Sequence, residues 1–133
     1  AYRERSNMIL DNKNISVDKK IITILNQLFE IERKSKENGH LDKIVRNIER
    51  IKSALIQDNQ SGEIFYEDPT GEEYSETRND LEVHIVGENT QDLIVVDVIK
   101  PIIRYGNRQL GLTQVIQRGL VSVTSKENIK DEK

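Results

Sequence analysis

Residues 93–124 read LIVVDVIKPIIRYGNRQLGLTQVIQRGLVSVT. Leu93 to Ile99 is nearly unbroken and rich in β-branched residues, the composition of a strand covered on both faces, so it reads as the central strand of a sheet. Pro101 follows; it has no N–H for a ladder, so a strand must end, kink or lie on an edge there. Tyr105-Gly106-Asn107-Arg108 reads as a hairpin-type turn, because Gly and Asn tolerate positive φ. Leu110 and Leu112 alternate, Val115 and Ile116 follow, and Gly119 interrupts. Leu120 to Thr124 then forms a last strand.

Further back the pattern is still β. Leu81, Val83 and Ile85 alternate with Glu82 and His84, as in a half-exposed strand, and Gly87-Glu88-Asn89-Thr90 turns the chain. Asp68-Pro69-Thr70-Gly71 has a type I turn signature, and Glu63 to Glu67 is a short strand before it. Upstream of residue 62 the period changes. Ser16 is a candidate N-cap, with Asp18 in the first turn. Ile21, Ile24, Leu25, Leu28, Phe29 and Ile31 recur at helical steps, and Asn38-Gly39 reads as the stop. A second helix starts near His40, with the seam Leu41, Ile44, Ile48, Ile51 and Leu55. Asp58 to Gly62 ends it.

The expected fold is α+β: an N-terminal helical hairpin followed by a small all-β C-terminal domain. The expected divisions are a flexible N terminus (1–15), a helical dimerisation region (16–61), a β domain (62–124) and a disordered tail (125–133). Because its turns and strands are local, the β domain is expected to fold without the helices. Each helix carries an apolar stripe wider than one partner covers. A second copy would bury the excess in a dimeric four-helix bundle; packing on the chain's own sheet is the alternative. The dimer is the stronger expectation, with Ile21, Ile24, Leu28, Leu41, Ile44, Ile48, Ile51 and Leu55 at its interface.

Composition narrows the function. The 133 residues carry a net charge of −3, which is no general field for nucleic acid or a membrane surface. That balance is uneven: residues 1–60 are net +3, residues 61–100 net −9 and residues 101–133 net +3. No apolar run approaches the roughly 20 residues of a membrane span. The start, Ala1-Tyr2-Arg3-Glu4-Arg5, lacks the apolar stretch of a signal peptide, and a cytoplasmic location is expected. Cysteine is absent, which excludes disulfides, thiol catalysis and Cys-ligated zinc. His84 has no second His nearby and reads as a solvent-facing strand residue. The acidic run Glu67, Asp68, Glu72, Glu73 and Glu76 lacks the closing Glu of a calcium loop and reads as a solvated loop. No catalytic, metal or cofactor residues are assigned, and the chain is not expected to be an enzyme. Arg104, Arg108 and Arg118 lie on or beside hairpins. They suit a protein contact surface, since guanidinium groups pair with carboxylates and stack, or they serve as solubility charges.

The order of these elements resembles the GrpE family, the nucleotide exchange factors of DnaK-type chaperones, from about Ile21 to Val123. Pro69-Thr70-Gly71-Glu72-Glu73-Tyr74 is similar to the family's Pro-Leu-Gly-Glu-Pro-Phe loop. Val95-Val96-Asp97-Val98-Ile99-Lys100 resembles its Val-Val-Glu-Val-Leu-Arg strand. Gly106-Asn107-Arg108 stands where the family has Asn-Gly-Arg, and Val121-Ser122-Val123 matches its Val-x-Val. The family's Leu-Arg-Pro-Ala becomes Leu110-Gly111-Leu112-Thr113, so its contact Arg is not carried over. Its Lys-Gly-Tyr becomes Lys100-Pro101-Ile102, and its His-x-Ala becomes Asn79-Asp80-Leu81. The resemblance implies a homodimer that docks its β domain on the ATPase domain of the chaperone, opens the cleft and speeds ADP release. The residues it implies for the contact are Arg104, Asn107 and Arg108, with Ile99 and Leu112 as apolar neighbours. The alternative is a dimeric scaffold module that has lost exchange activity.

Overall fold

The computed structural model describes residues 17–56 and 62–131. The expected flexible N terminus and the turn at 58–61 lie outside them. Two helices, α1 (Lys19–Glu37) and α2 (Leu41–Ile56), precede six strands. The strands are β1 (Glu63–Glu67), β2 (Leu81–Ile85), β3 (Leu93–Lys100), β4 (Ile102–Asn107), β5 (Leu112–Gln117) and β6 (Gly119–Ser125). A short helix, α3 (Lys126–Asp131), occupies much of the expected disordered tail.

The N-cap of α1 is Asp18, whose carboxylate accepts from Lys20 N at 2.9 Å. It lies two residues past the expected Ser16, which is outside the described residues. The helix stops where Gly39 takes φ +73. Gly39 N–H donates to Lys36 O and His40 N–H to Ser35 O, the paired bonds of a Schellman motif.

The strands form two three-stranded sheets, ordered β1-β4-β5 and β2-β6-β3. All pairs are antiparallel except β2 with β6. One ribbon runs through both sheets. β3 passes into β4 across Pro101, β5 passes into β6 across Arg118, and the ribbon bends there. Its two halves belong to different sheets. The Gln117 amide ties the bend together by donating to Pro101 O at 2.9 Å. Pro101 therefore ends a strand, as the pattern required, but β3 is an edge strand. The centre of its sheet is β6, where Ser122 and Thr124 alternate with Val121 and Val123 and gave it the look of a closing strand. The turn before β2 is also displaced by one residue: Glu72 N–H donates to Pro69 O, and Gly71 at φ +86 marks a type II geometry.

The cores cross the boundary expected at 61/62. One cluster joins Leu25, Leu28 and Ile48 of the helices to Ile64 and Ile103 of the first sheet. The other seats Phe29 of α1 among Leu81, Val95, Val98, Val121 and Val123 of the second. Helix α1 thus straddles both sheets. Burying each such side chain contributes about 1.5–3 kcal/mol, so the β segment draws part of its stability from the helices.

Candidate functional site

The β4–β5 hairpin is held by backbone chemistry. At Gly106 (φ +147) a Cβ would stand 2.2 Å from Leu112 O, so only glycine fits. The turn itself is Arg108 to Gly111, three residues later than expected. Gly111 N–H closes it on Arg108 O, and Asn107 Oδ1 accepts from Leu110 N–H at 3.0 Å. Asn107, assigned to partner contact, therefore has its side-chain carbonyl committed to shaping the tip.

Arg108 lies over the Phe65 ring, 3.8 Å from guanidinium carbon to centroid, with Glu63 at 3.9 Å. Phe65 is buried beneath it. Stacking holds the guanidinium in one place while more than half of the side chain stays exposed. In the same hairpin, Leu110 and Leu112 are 68% and 58% exposed, the two most exposed large apolar residues described. The expected set had Leu112 but missed Leu110, though its place one residue before a turn glycine marked it as a tip residue.

Arg104 is placed differently. Its Nη2 donates to Asp80 Oδ2 at 2.7 Å and its Nε to Glu67 Oε1 at 2.7 Å. Arg78 grips the same Asp80 carboxylate from the other side through Nε and Nη2, both at 3.0 Å. The hydrogen bonds from Arg78, and then those from Arg104, hold the Asp80 carboxyl below its ordinary pKa despite partial burial. Burial opposes the charge on Arg104, but Glu67 and Asp80 outweigh it and raise its pKa. Arg104 is thus a structural clamp between the sheets rather than a free contact. Arg118 is likewise engaged, donating to Leu81 O. Ile99 is exposed but lies across the Pro101 bend in the other sheet, beside Glu30, Arg33 and Lys34. The structure does not bring it to the hairpin.

Of the residues expected at a dimer seam, Leu28 and Ile48 are buried within the single chain. Ile21, Leu41, Ile44 and Leu55 pack partly buried against the same core. Ile24 and Ile51 remain exposed, together with Ile31 and Val45. A polar network fastens the helices to β1: the Tyr66 hydroxyl donates to Glu32, and Lys52 Nζ stands 3.3 Å from Glu32 and 4.5 Å above the Tyr66 ring. Burial, followed by the Glu32 carboxylate, pushes the Tyr66 phenol far above its ordinary range.

Among the described residues no three His, Asp or Glu side chains are grouped so as to hold a metal ion, and His84 is exposed. No helix among them is long and apolar enough to cross a membrane. No family model, curated protein or solved structure matches the chain.

Proposed function

We infer that the chain is a non-catalytic, cytoplasmic co-chaperone whose β4–β5 hairpin docks on the ATPase domain of a DnaK-type chaperone and promotes ADP release. The observation that carries the reading is the end of the β4–β5 hairpin, where Arg108, Leu110 and Leu112 are each exposed about a turn fixed by Gly106 and Asn107. A hairpin end that carries exposed leucines and a preorganised guanidinium suits a protein contact, because ordering the stacked Arg108 on binding costs little entropy. The succession of helical pair, Pro-Thr-Gly loop and Arg-bearing hairpin supports the chaperone as partner.

The family's homodimer is proposed here on a narrower basis, the exposed Ile24, Ile31 and Ile51. A second reading, a scaffold that binds without exchange, is favoured by two observations. Arg104 is bound within the chain, and Gly111 stands where the family has its contact Arg. Calorimetric titration of the chaperone's nucleotide-binding domain with the full chain tests docking for both readings. Binding that weakens on Leu110→Ala is expected; no binding by the unmodified protein removes both.

A further inference from the structure

The helix pair keeps an apolar face with cationic rims turned to solvent. On α1, Ile24 and Ile31 are 41% and 45% exposed. Exposed Lys20 stands four residues before Ile24, and exposed Lys34 three after Ile31. At 3.6 residues per turn these four share an arc of about 80°. On α2, Ile51 is 44% exposed and shares an arc of about 100° with exposed Lys43 and Arg50. Each arc borders the seam between the helices: Ile21 and Leu28 adjoin it on α1, Ile44 and Ile48 on α2, and all four belong to one core. The isoleucines therefore line the outer side of that seam, and the cations rim it.

No carboxylate of the two helices lies on either arc. Glu30 pairs with Arg33 at 2.6 Å, and Glu32 and Glu49 stand 3.3 and 3.5 Å from Lys52 Nζ. Glu37 lies about 120° round α1 from Ile31, and Asp42 about 180° round α2 from Ile51. Lys20, Lys34, Lys43 and Arg50 make no ion pair or side-chain hydrogen bond among the described residues. A chain of net charge −3 thus carries one face whose charge is positive and uncompensated.

We propose that this face docks an amphipathic helix of a partner protein, one with Asp or Glu on both flanks of its apolar stripe. The isoleucine floor takes the stripe and the cationic rims take the carboxylates. A phosphate backbone would satisfy the rims and leave the floor uncovered. A second copy would satisfy the floor but set like charges rim to rim. The face is the one assigned above to the homodimer, so the acidic helix competes with a second copy. Only that competition rests on the homodimer reading.

The test uses the full chain and, as probe, a capped fluorescent helix of three heptads with Leu at a and d and Glu at e and g. Fluorescence anisotropy is expected to show binding that weakens as salt rises, whereas self-association of the chain tightens as its like charges are screened. The same helix with Lys for Glu, and one with Ser for Leu, bind at least about tenfold more weakly. Lys43→Glu with Arg50→Glu, and separately Ile24→Ser with Ile31→Ser, each weaken the Glu helix by about tenfold or more without moving the thermal melt. If a variant does not fold, the Lys and Ser helices on the unmodified chain decide. Absence of binding, equal binding by the Lys or Ser helix, or tighter binding of duplex DNA overturns the proposal. A chain that stays monomeric at every salt concentration removes the homodimer reading, and binding of the Glu helix to that monomer still upholds the docking face.

Discussion

Asp80 and Arg104 join the two sheets: Arg104 rises from the centre of one and meets, at 2.7 Å, a carboxylate just before the first strand of the other. Arg78 completes the grip. Because the ribbon bends at Pro101 and Arg118, this pair helps set the angle between its halves, and so the direction in which the hairpin tip points.

The clamp makes stability depend on acid. The folded pKa of Asp80 is lowered below its ordinary value of 3.8. Its contribution is complete above that unfolded value and is lost as pH falls through the lower folded one. Stability from this group is therefore flat from neutral pH down to the carboxylate range and declines below it. Asp80→Asn is expected to cost about 2–3 kcal/mol at pH 7 and to remove that part of the acid dependence. Urea unfolding at stepped pH measures both.

Two glycines of the hairpin should respond differently. Gly106→Ala forces a Cβ onto Leu112 O at a backbone angle that side chains avoid, and is expected to cost about 3 kcal/mol or more. Gly111→Ala has positive φ but open space around it, and should cost only about 1–2 kcal/mol. Thermal melts of the two variants rank them. Equal losses would mean that the close approach at Gly106 is not a constraint.

Much of this architecture was legible along the chain. Leu41 to Leu55 announced a helix, Gly39 its predecessor's end, and alternation at Leu81, Val83 and Ile85 a strand. Local signals fix elements because each depends on a few neighbouring residues. They do not rank strands within a sheet: the β-branched run at 93–99 fits an edge shielded by a loop as well as a centre. The partner of Arg104 was equally hidden, since Asp80 lies 24 residues earlier and meets it only after the sheets assemble. Phe65 beneath Arg108 depends on β1 pairing with β4 rather than with its sequence neighbour.

The helical stripe divides into inward and outward parts, and variants should separate them. Ile48 is 3% exposed, so Ile48→Asp buries an unpaired charge and is expected to cost several kcal/mol, about 3–5, abolishing the folded chain. Ile51 is 44% exposed, so Ile51→Asp should leave the melt nearly unchanged and shift a dimer toward monomer in light scattering. A dimer unaffected by Ile51→Asp would place the interface elsewhere.

Removing the helices should remove the fold. Phe29 sits in one core, and Leu25, Leu28 and Ile48 in the other. A fragment of residues 62–124 is expected to lack a cooperative thermal transition and a dispersed amide spectrum. A sharp melt would show that the sheets suffice.

The most direct test of the functional account is the rate at which a fluorescent ADP analogue leaves a DnaK-type chaperone from the same organism as the chain increases. Faster release that saturates is predicted. Arg108→Ala and Leu110→Ala should each weaken the half-saturating concentration by about tenfold, equivalent to ~1.4 kcal/mol, with the circular dichroism spectrum unchanged. Arg104→Ala should act mainly by lowering stability. Chaperone binding with ADP release unchanged would contradict the exchange account and leave the scaffold reading in its place.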